Sequence, residues 1–146
     1  MSKRILIAED HLPTQEAMDG FIRFYLKEFE ISLTTGGAET IKSILNDPPD
    51  VVALDLALSD DINGIAVIKR LWAEGLRNKP RIIIETAMGF GPQARKHWLE
   101  ELGDARGLVH EIYQKPFKWG EFLTSVAQAA GVVPPDKLRQ DFEDEK

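Results

Sequence analysis

The sequence predicts an α/β fold, a five-stranded parallel sheet in the order 2-1-3-4-5 with helices on both faces. Three observations carry this. Short aliphatic runs alternate with longer segments whose apolar residues recur at three- and four-residue steps. Strand–helix pairs repeat from Arg4 to Ala130, which calls for parallel strands joined by right-handed helical crossovers. The second run, Ile31 to Thr35, is short and carries Ser32, Thr34 and Thr35, as suits an edge strand, whereas the first, third and fourth runs read as central.

Taken in order, Arg4 to Ala8 is strand one and ends in Glu9-Asp10-His11. Helix one is expected from Pro13 to Phe29, with Met18, Phe21, Ile22, Tyr25, Leu26 and Phe29 on one face and Pro13 in the first turn. Strand two closes on Gly36-Gly37. Helix two covers Ala38 to Leu45, with Ile41, Ile44 and Leu45 inward. Strand three, Val51-Val52-Ala53-Leu54-Asp55, is an apolar run ending on a carboxylate. A polar loop, Ser59 to Gly64, leads into helix three, which turns Ile65, Ile68, Leu71 and Trp72 inward and stops near Gly75. Strand four is Arg81 to Glu85. Helix four lies between Pro92 and Leu102, facing inward with Trp98, Leu99 and Leu102. Strand five spans Val109 to Gln114. Helix five spans Trp119 to Ala130 and buries Phe122, Leu123 and Val126.

The chain has 146 residues, enough for one core, and a net charge of −6, so it has no basic footprint for nucleic acid or an anionic membrane. It has no cysteine, which excludes thiolate chemistry and fits a cytoplasmic setting. The apolar run Ile5 to Ala8 is too short for a signal peptide, and no stretch approaches membrane-spanning length.

Strand order 2-1-3-4-5 puts the topological switch of this doubly wound, flavodoxin-like sheet between strands one and three, where open α/β sheets bind ligands. Glu9 and Asp10 end strand one and Asp55 ends strand three, so these carboxylates are expected to converge. Mutual repulsion among them would be relieved by a divalent cation; Mg²⁺ takes one or two carboxylates and shares its shell with phosphate. An aspartate beside such an ion is a plausible nucleophile toward phosphorus. Thr86, after strand four, offers a hydroxyl to a phosphoryl oxygen, and Lys115, after strand five, offers an ammonium. Lys115-Pro116-Phe117 is stiff, and a cis bond there would aim the lysine inward.

Each residue alone has a plainer reading. Glu9-Asp10 suits a helix N-terminus, Thr86 a cap, Lys115 a solvated surface and Asp60-Asp61 a solvated loop. His11, His97 and His110 lack metal-ligand spacing and read as surface residues. The weight lies in the joint pattern across four strand ends.

That pattern resembles the receiver domain of two-component response regulators. The similar stretches are Ile5 to Asp10, Val52 to Leu56, Ile82 to Ala87 and Gln114 to Phe117. The resemblance implies that Asp55 is phosphorylated by a histidine kinase or phosphotransfer protein. It implies that Glu9, Asp10, Asp55 and the backbone carbonyl of Ala57 hold Mg²⁺, and that Thr86 and Lys115 contact the phosphoryl group. Such a protein catalyses only its own phosphorylation and dephosphorylation. Its signal leaves through an unidentified downstream protein target or by phosphorelay.

There are departures from the family pattern. The Asp55–Gly64 loop is one residue longer than usual. The span from Thr86 to Lys115 is about seven residues longer than in typical members, and a mobile loop at Gly89-Phe90-Gly91-Pro92 is expected to hold part of it. Three residues before Lys115, where an aromatic commonly acts as a switch, stands Ile112; Tyr113 is one place later and should face the other way. Ala57 and Met88, placed to orient a hydrolytic water, cannot do so usefully.

Other classes fit less well. A dinucleotide binder needs glycines where Glu9-Asp10-His11 stand. A phosphatase of the haloacid dehalogenase class wants an acid where Ala57 stands. The main alternative is a receiver-like module that binds partners without phosphorylation. Residues 1–131 are expected to form the receiver domain. Residues 132–146 are read as a short tail, helical through Leu138 and Phe142 or disordered, and too short for a DNA-binding output domain, so a stand-alone receiver is expected.

Overall fold

The computed structural model describes residues 2–87 and 91–145. Its strands are β1 (Lys3–Ala8), β2 (Phe29–Thr34), β3 (Val51–Asp55), β4 (Arg81–Thr86) and β5 (Val109–Gln114). All pair in parallel in the order β2-β1-β3-β4-β5. The helices are α1 (Leu12–Tyr25), α2 (Gly37–Asn46), α3 (Gly64–Ala73), α4 (Gly91–Leu102), α5 (Trp119–Ala129) and α6 (Asp136–Asp141).

Alternation along the strands sorts the core into two layers. Leu6, Val52, Leu54, Ile82 and Ile84 point to one face and pack on Ile41 and Ile44 of α2, Ile68 and Leu71 of α3, and Leu102 of α4. Ile5, Ile7, Val51, Ala53 and Ile83 point to the other and pack on Met18 and Ile22 of α1 and Phe122, Leu123 and Val126 of α5. β3 is buried at every residue, so both its faces need apolar side chains and it reads as a continuous apolar run up to the closing Asp55.

Two element boundaries differ from the sequence reading. Phe29 was expected on the inner face of helix one; it is the first residue of β2, paired with Lys3. Its three-residue spacing from Leu26 suits a helix, but Leu26 is already the C-cap, and a tight turn returns the Phe29 N–H to the Leu26 carbonyl. Apolar spacing cannot separate a last helical turn from the buried start of the next strand.

The second difference lies before β5. The sequence reading placed extra length at Gly89 to Pro92; Gly91 and Pro92 open α4, and residues 88–90 lie outside the described residues. A 3₁₀ segment not expected from the sequence, Gly103–Leu108, follows α4. It is docked, with Ala105 and Leu108 buried, and Arg81 donates to the carbonyls of Gly107 and Val109 at 2.7 and 3.1 Å. His110, read as a surface residue, is half-buried on β5. Burial there, with the nearby Arg81 charge, lowers its pKa.

After α5 the chain folds back over α1 and α5. Leu138 is buried, and the Phe142 ring lies 5.9 Å from Phe21 and 5.3 Å from Tyr25. The Tyr25 hydroxyl donates to Asp141 at 2.7 Å, and the Gly120 N–H, at the start of α5, donates to Glu145 at 2.8 Å. A Cβ at Gly120 would lie 2.6 Å from the Phe142 Cβ, so only glycine lets this segment seat. Gly120→Ala should therefore cost about 1–3 kcal/mol in urea unfolding through overpacking. The same change in a chain shortened to residue 135 should cost much less, because the clashing groups are gone.

Candidate functional site at the carboxyl edge of the sheet

The carboxyl ends of β1, β3, β4 and β5 bring four charged side chains together. Lys115 follows β5, its backbone N–H donating to the Thr86 carbonyl at 2.8 Å, and its peptide bond to Pro116 is cis. The Lys115 ammonium donates to Glu9 Oε1 at 2.7 Å and to Asp55 Oδ2 at 3.0 Å, and lies 3.5 Å from Glu85 Oε1. Glu9, Asp55 and Glu85 are all buried, and oxygens from the three lie within 4.8 Å of one another. The other Asp55 oxygen, Oδ1, accepts from the Ala57 N–H at 3.0 Å.

The surrounding loops hold this arrangement by specific contacts. Gln15 of α1 is buried and donates to the carbonyls of Glu9 and Thr34, tying the ends of β1 and β2 together. A Cβ at Gly64 would lie 2.7 Å from the Asp55 carbonyl oxygen, so glycine is what lets α3 start against the end of β3. Asn63 caps α3 by accepting from the Ala66 N–H at 2.9 Å. Asp60, read from sequence as a solvated loop residue, instead reaches across to α2. It accepts from the N–H groups of Gly37 at 2.7 Å and Ala38 at 3.0 Å, and these bonds hold its pKa below the usual carboxylate range.

The expected residues are not placed alike. Glu9, Asp55 and Lys115 meet directly. Thr86 is buried as the last residue of β4. Asp10, expected to converge with them, is exposed and is not one of the three clustered acids. The backbone bends there, two residues past the end of β1. Ala57 is exposed beside Asp55.

Glu85 was missed as a site residue. Its signal was a charged residue closing the run Ile82-Ile83-Ile84, on the same face as the buried Ile83. In register it pairs with Asp55 on one side and Tyr113 on the other. Gln15 was missed too, since a polar residue in the first turns of a helix carries no distinguishing pattern.

The aromatic position behaves as strand alternation implies. Ile112 packs into the layer of α3 and α4, and Tyr113 into that of α5. The Tyr113 hydroxyl bonds Ser125 and, at 3.2 Å, the Glu121 carbonyl. It is therefore committed to α5, on the face opposite Ile112.

Three buried carboxylates share one ammonium, so the set is short of positive charge. Glu9 Oε2 and both Glu85 oxygens are buried without a hydrogen bond. Burial pushes Glu85 up to about 7, with Lys115 opposing the shift. Burial also raises Glu9, helped by a carboxyl–carboxyl hydrogen bond with Asp55. Burial alone would lower Lys115, but its bonds to Glu9 and Asp55 and the Glu85 charge hold it above its usual range. The site is thus a fixed, partly dehydrated anionic crevice with one cation, suited to a divalent ion or to a group that arrives with one.

Comparison with known proteins agrees with this architecture. The family model described as the response regulator receiver domain matches residues 5–126. The signal receiver domain of a LuxO repressor protein from Vibrio parahaemolyticus is similar with a TM-score of 0.74 at 21% identity, over 100% of this chain and 99% of that one. A LuxR-family response regulator from Staphylococcus aureus aligns with a TM-score of 0.71 at 23% identity, over 88% and 98%. The receiver domain of a sensor histidine kinase from Pseudomonas aeruginosa, solved with a magnesium ion in its active-site cleft, aligns with a TM-score of 0.70 at 18% identity, over 90% and 99%. No helix among the described residues is long and apolar enough to cross a membrane.

The charge shortage has a measurable consequence. Glu85 has its folded pKa raised, so the stability that its protonated form contributes is full below its ordinary value of 4.5 and is lost as pH rises through about 7. In EDTA, Glu85→Gln should be more stable than wild type by about 1–3 kcal/mol near pH 8, with the difference shrinking toward about pH 5. Urea unfolding at the two pH values checks this; a difference independent of pH would contradict it.

Proposed function

The chain belongs to the response regulator receiver domain family, and from that premise we propose that Asp55 accepts a phosphoryl group from a histidine kinase or phosphotransfer protein. The observation that carries this reading is the Asp55 carboxylate itself. It is buried at the end of β3, held by the Ala57 N–H and the Lys115 ammonium, and set beside Glu9.

The residues present fit a divalent cation. Three carboxylates gather around one ammonium, and three of their buried oxygens lack a hydrogen bond. Glu9, Asp55 and the Ala57 carbonyl would hold Mg²⁺, with Asp10, exposed and outside the acid cluster in this structure, turning inward to join them; when bound, the ion neutralises charge on the phosphoryl oxygens. The remaining work falls to the chain. An Asp55 oxygen forms the bond to phosphorus as the donor's bond to phosphorus breaks, and the donor leaves with that electron pair. For a phosphohistidine donor the leaving nitrogen keeps the pair. Lys115 turns its donor from Asp55 to the phosphoryl oxygens, and the Thr86 hydroxyl supplies a second contact. Residues 1–131 serve as the signalling unit, and the signal passes by protein contact or onward phosphoryl transfer. Residues 132–145 are an appendage docked on α1 and α5.

The direct test is mass spectrometry after incubation with acetyl phosphate and Mg²⁺. Wild type should gain one phosphoryl group and Asp55→Asn none; equal labelling would refute the assignment. A second outcome concerns lifetime. Hydrolysis needs a water held in line with the Asp55–phosphorus bond. Ala57 offers no polar side chain, and Asp60, in the same loop, is committed to the start of α2. Met88, the other position expected to matter, lies outside the described residues. The phosphorylated protein should decay slowly, and Ala57→Asn should speed the loss by about tenfold through water positioning. Unchanged or slower decay in that variant would count against this account.

A further inference from the structure

One buried carboxylate adds to the negative charge of the crevice but is neither the phosphoacceptor nor among the proposed Mg²⁺ ligands. Glu85 is fully buried on β4, on the face where Ile83 packs into the core. An apolar residue would continue that pattern. A carboxylate there carries a desolvation cost of several kcal/mol unless a cation meets it. Among the described residues, Lys115 is the basic side chain that does so, at 3.5 Å. An ammonium has three N–H donors. Glu9 takes one at 2.7 Å and Asp55 a second at 3.0 Å, and the third can turn toward Glu85 Oε1, which lies 3.5 Å away within ion-pair distance and without a hydrogen bond.

We propose that Glu85 is a positioning residue for Lys115, holding its ammonium on the β4 side of the crevice while the phosphoryl group displaces Asp55 as its partner. This rests on the phosphoacceptor reading of Asp55. On phosphorylation the Asp55 oxygen becomes part of an acyl phosphate and ceases to be a full anion. Lys115 then loses one of its two short carboxylate bonds just when it must stay in place. With Glu9 alone, the long side chain could pivot about a single contact. With Glu85 as a second fixed acceptor, two donors stay anchored and the third is directed at the phosphoryl oxygens. The device needs no movement of β4, because Glu85 and Asp55 are in register on neighbouring strands.

The test reads the ammonium directly. Lysine-selective ¹H–¹⁵N spectra of the unphosphorylated protein would be recorded for wild type, Glu85→Gln, Glu85→Leu and Glu85→Val, with amide spectra to verify folding. Wild type should show a slowly exchanging Lys115 ammonium resonance, assigned by its loss in Lys115→Arg. Glu85→Gln, which keeps an oxygen acceptor at the same reach, should retain it. The two apolar variants should broaden it away and slow phosphorylation by acetyl phosphate about tenfold, the scale of loss expected when a charged group is mispositioned. The smaller Glu85→Val keeps the test open if leucine overfills the site. An unaltered Lys115 resonance with an unaltered rate in a folded apolar variant would overturn the proposal. Failure of the phosphoacceptor reading has a different signature, a wild-type protein that takes no phosphoryl group while the ammonium spectra still depend on Glu85.

Discussion

The site depends on an imbalance of charge, with three buried carboxylates arranged around the single ammonium of Lys115. Unpaired carboxylates inside a protein cost several kcal/mol each, so the arrangement persists only because the chain constrains it from several sides. The parallel sheet brings the strand ends to one edge, and β3 and β4 set Asp55 and Glu85 side by side in register. A crevice with more carboxylates than ammonium groups suits a further cation, as the hard divalent ions are bound through carboxylate oxygens.

Loop construction is subordinate to that demand. The β3–α3 loop leaves Asp55 and returns at Gly64, where a side chain would strike the Asp55 backbone. Between those points it sends Asp60 to the start of α2, where the helix dipole and two N–H groups favour an anion. One acidic residue of the loop is thereby tied to α2 and kept out of the acid cluster at Asp55. On the other side, Gln15 links the ends of β1 and β2 and fixes the backbone from which Glu9 projects.

The face of α1 and α5 is organised differently. Phe21, Tyr25, Trp119 and Phe142 form a ring cluster that joins these helices to the C-terminal segment, and Gly120 provides the close approach. Tyr113 is drawn to the same side by its bonds to Ser125 and Glu121. Ile112 occupies the opposite layer and has no hydroxyl to exchange between partners.

The sheet order, the alternation of strand and helix, and Asp55 at the end of β3 were legible in the sequence. Buried parallel strands must be continuously apolar, and an acid that ends such a run stands out. Lys115 was legible through the joint pattern, since Lys-Pro closes the fifth strand as the acids and the Thr86 hydroxyl close the others. Glu85 was not, because a charged residue at the last turn of a strand can face either water or the core, and only packing decides which. Register with Asp55 and Tyr113 settled its direction. Asp60 and the 3₁₀ segment before β5 escaped for the same reason. Their partners, the start of α2 and the flank of α3, are distant in sequence and adjacent only after folding. Local pattern thus determined which residues could be buried or reactive. Tertiary structure decided which charges share one crevice, because the energy of a buried charge depends on its neighbours in space.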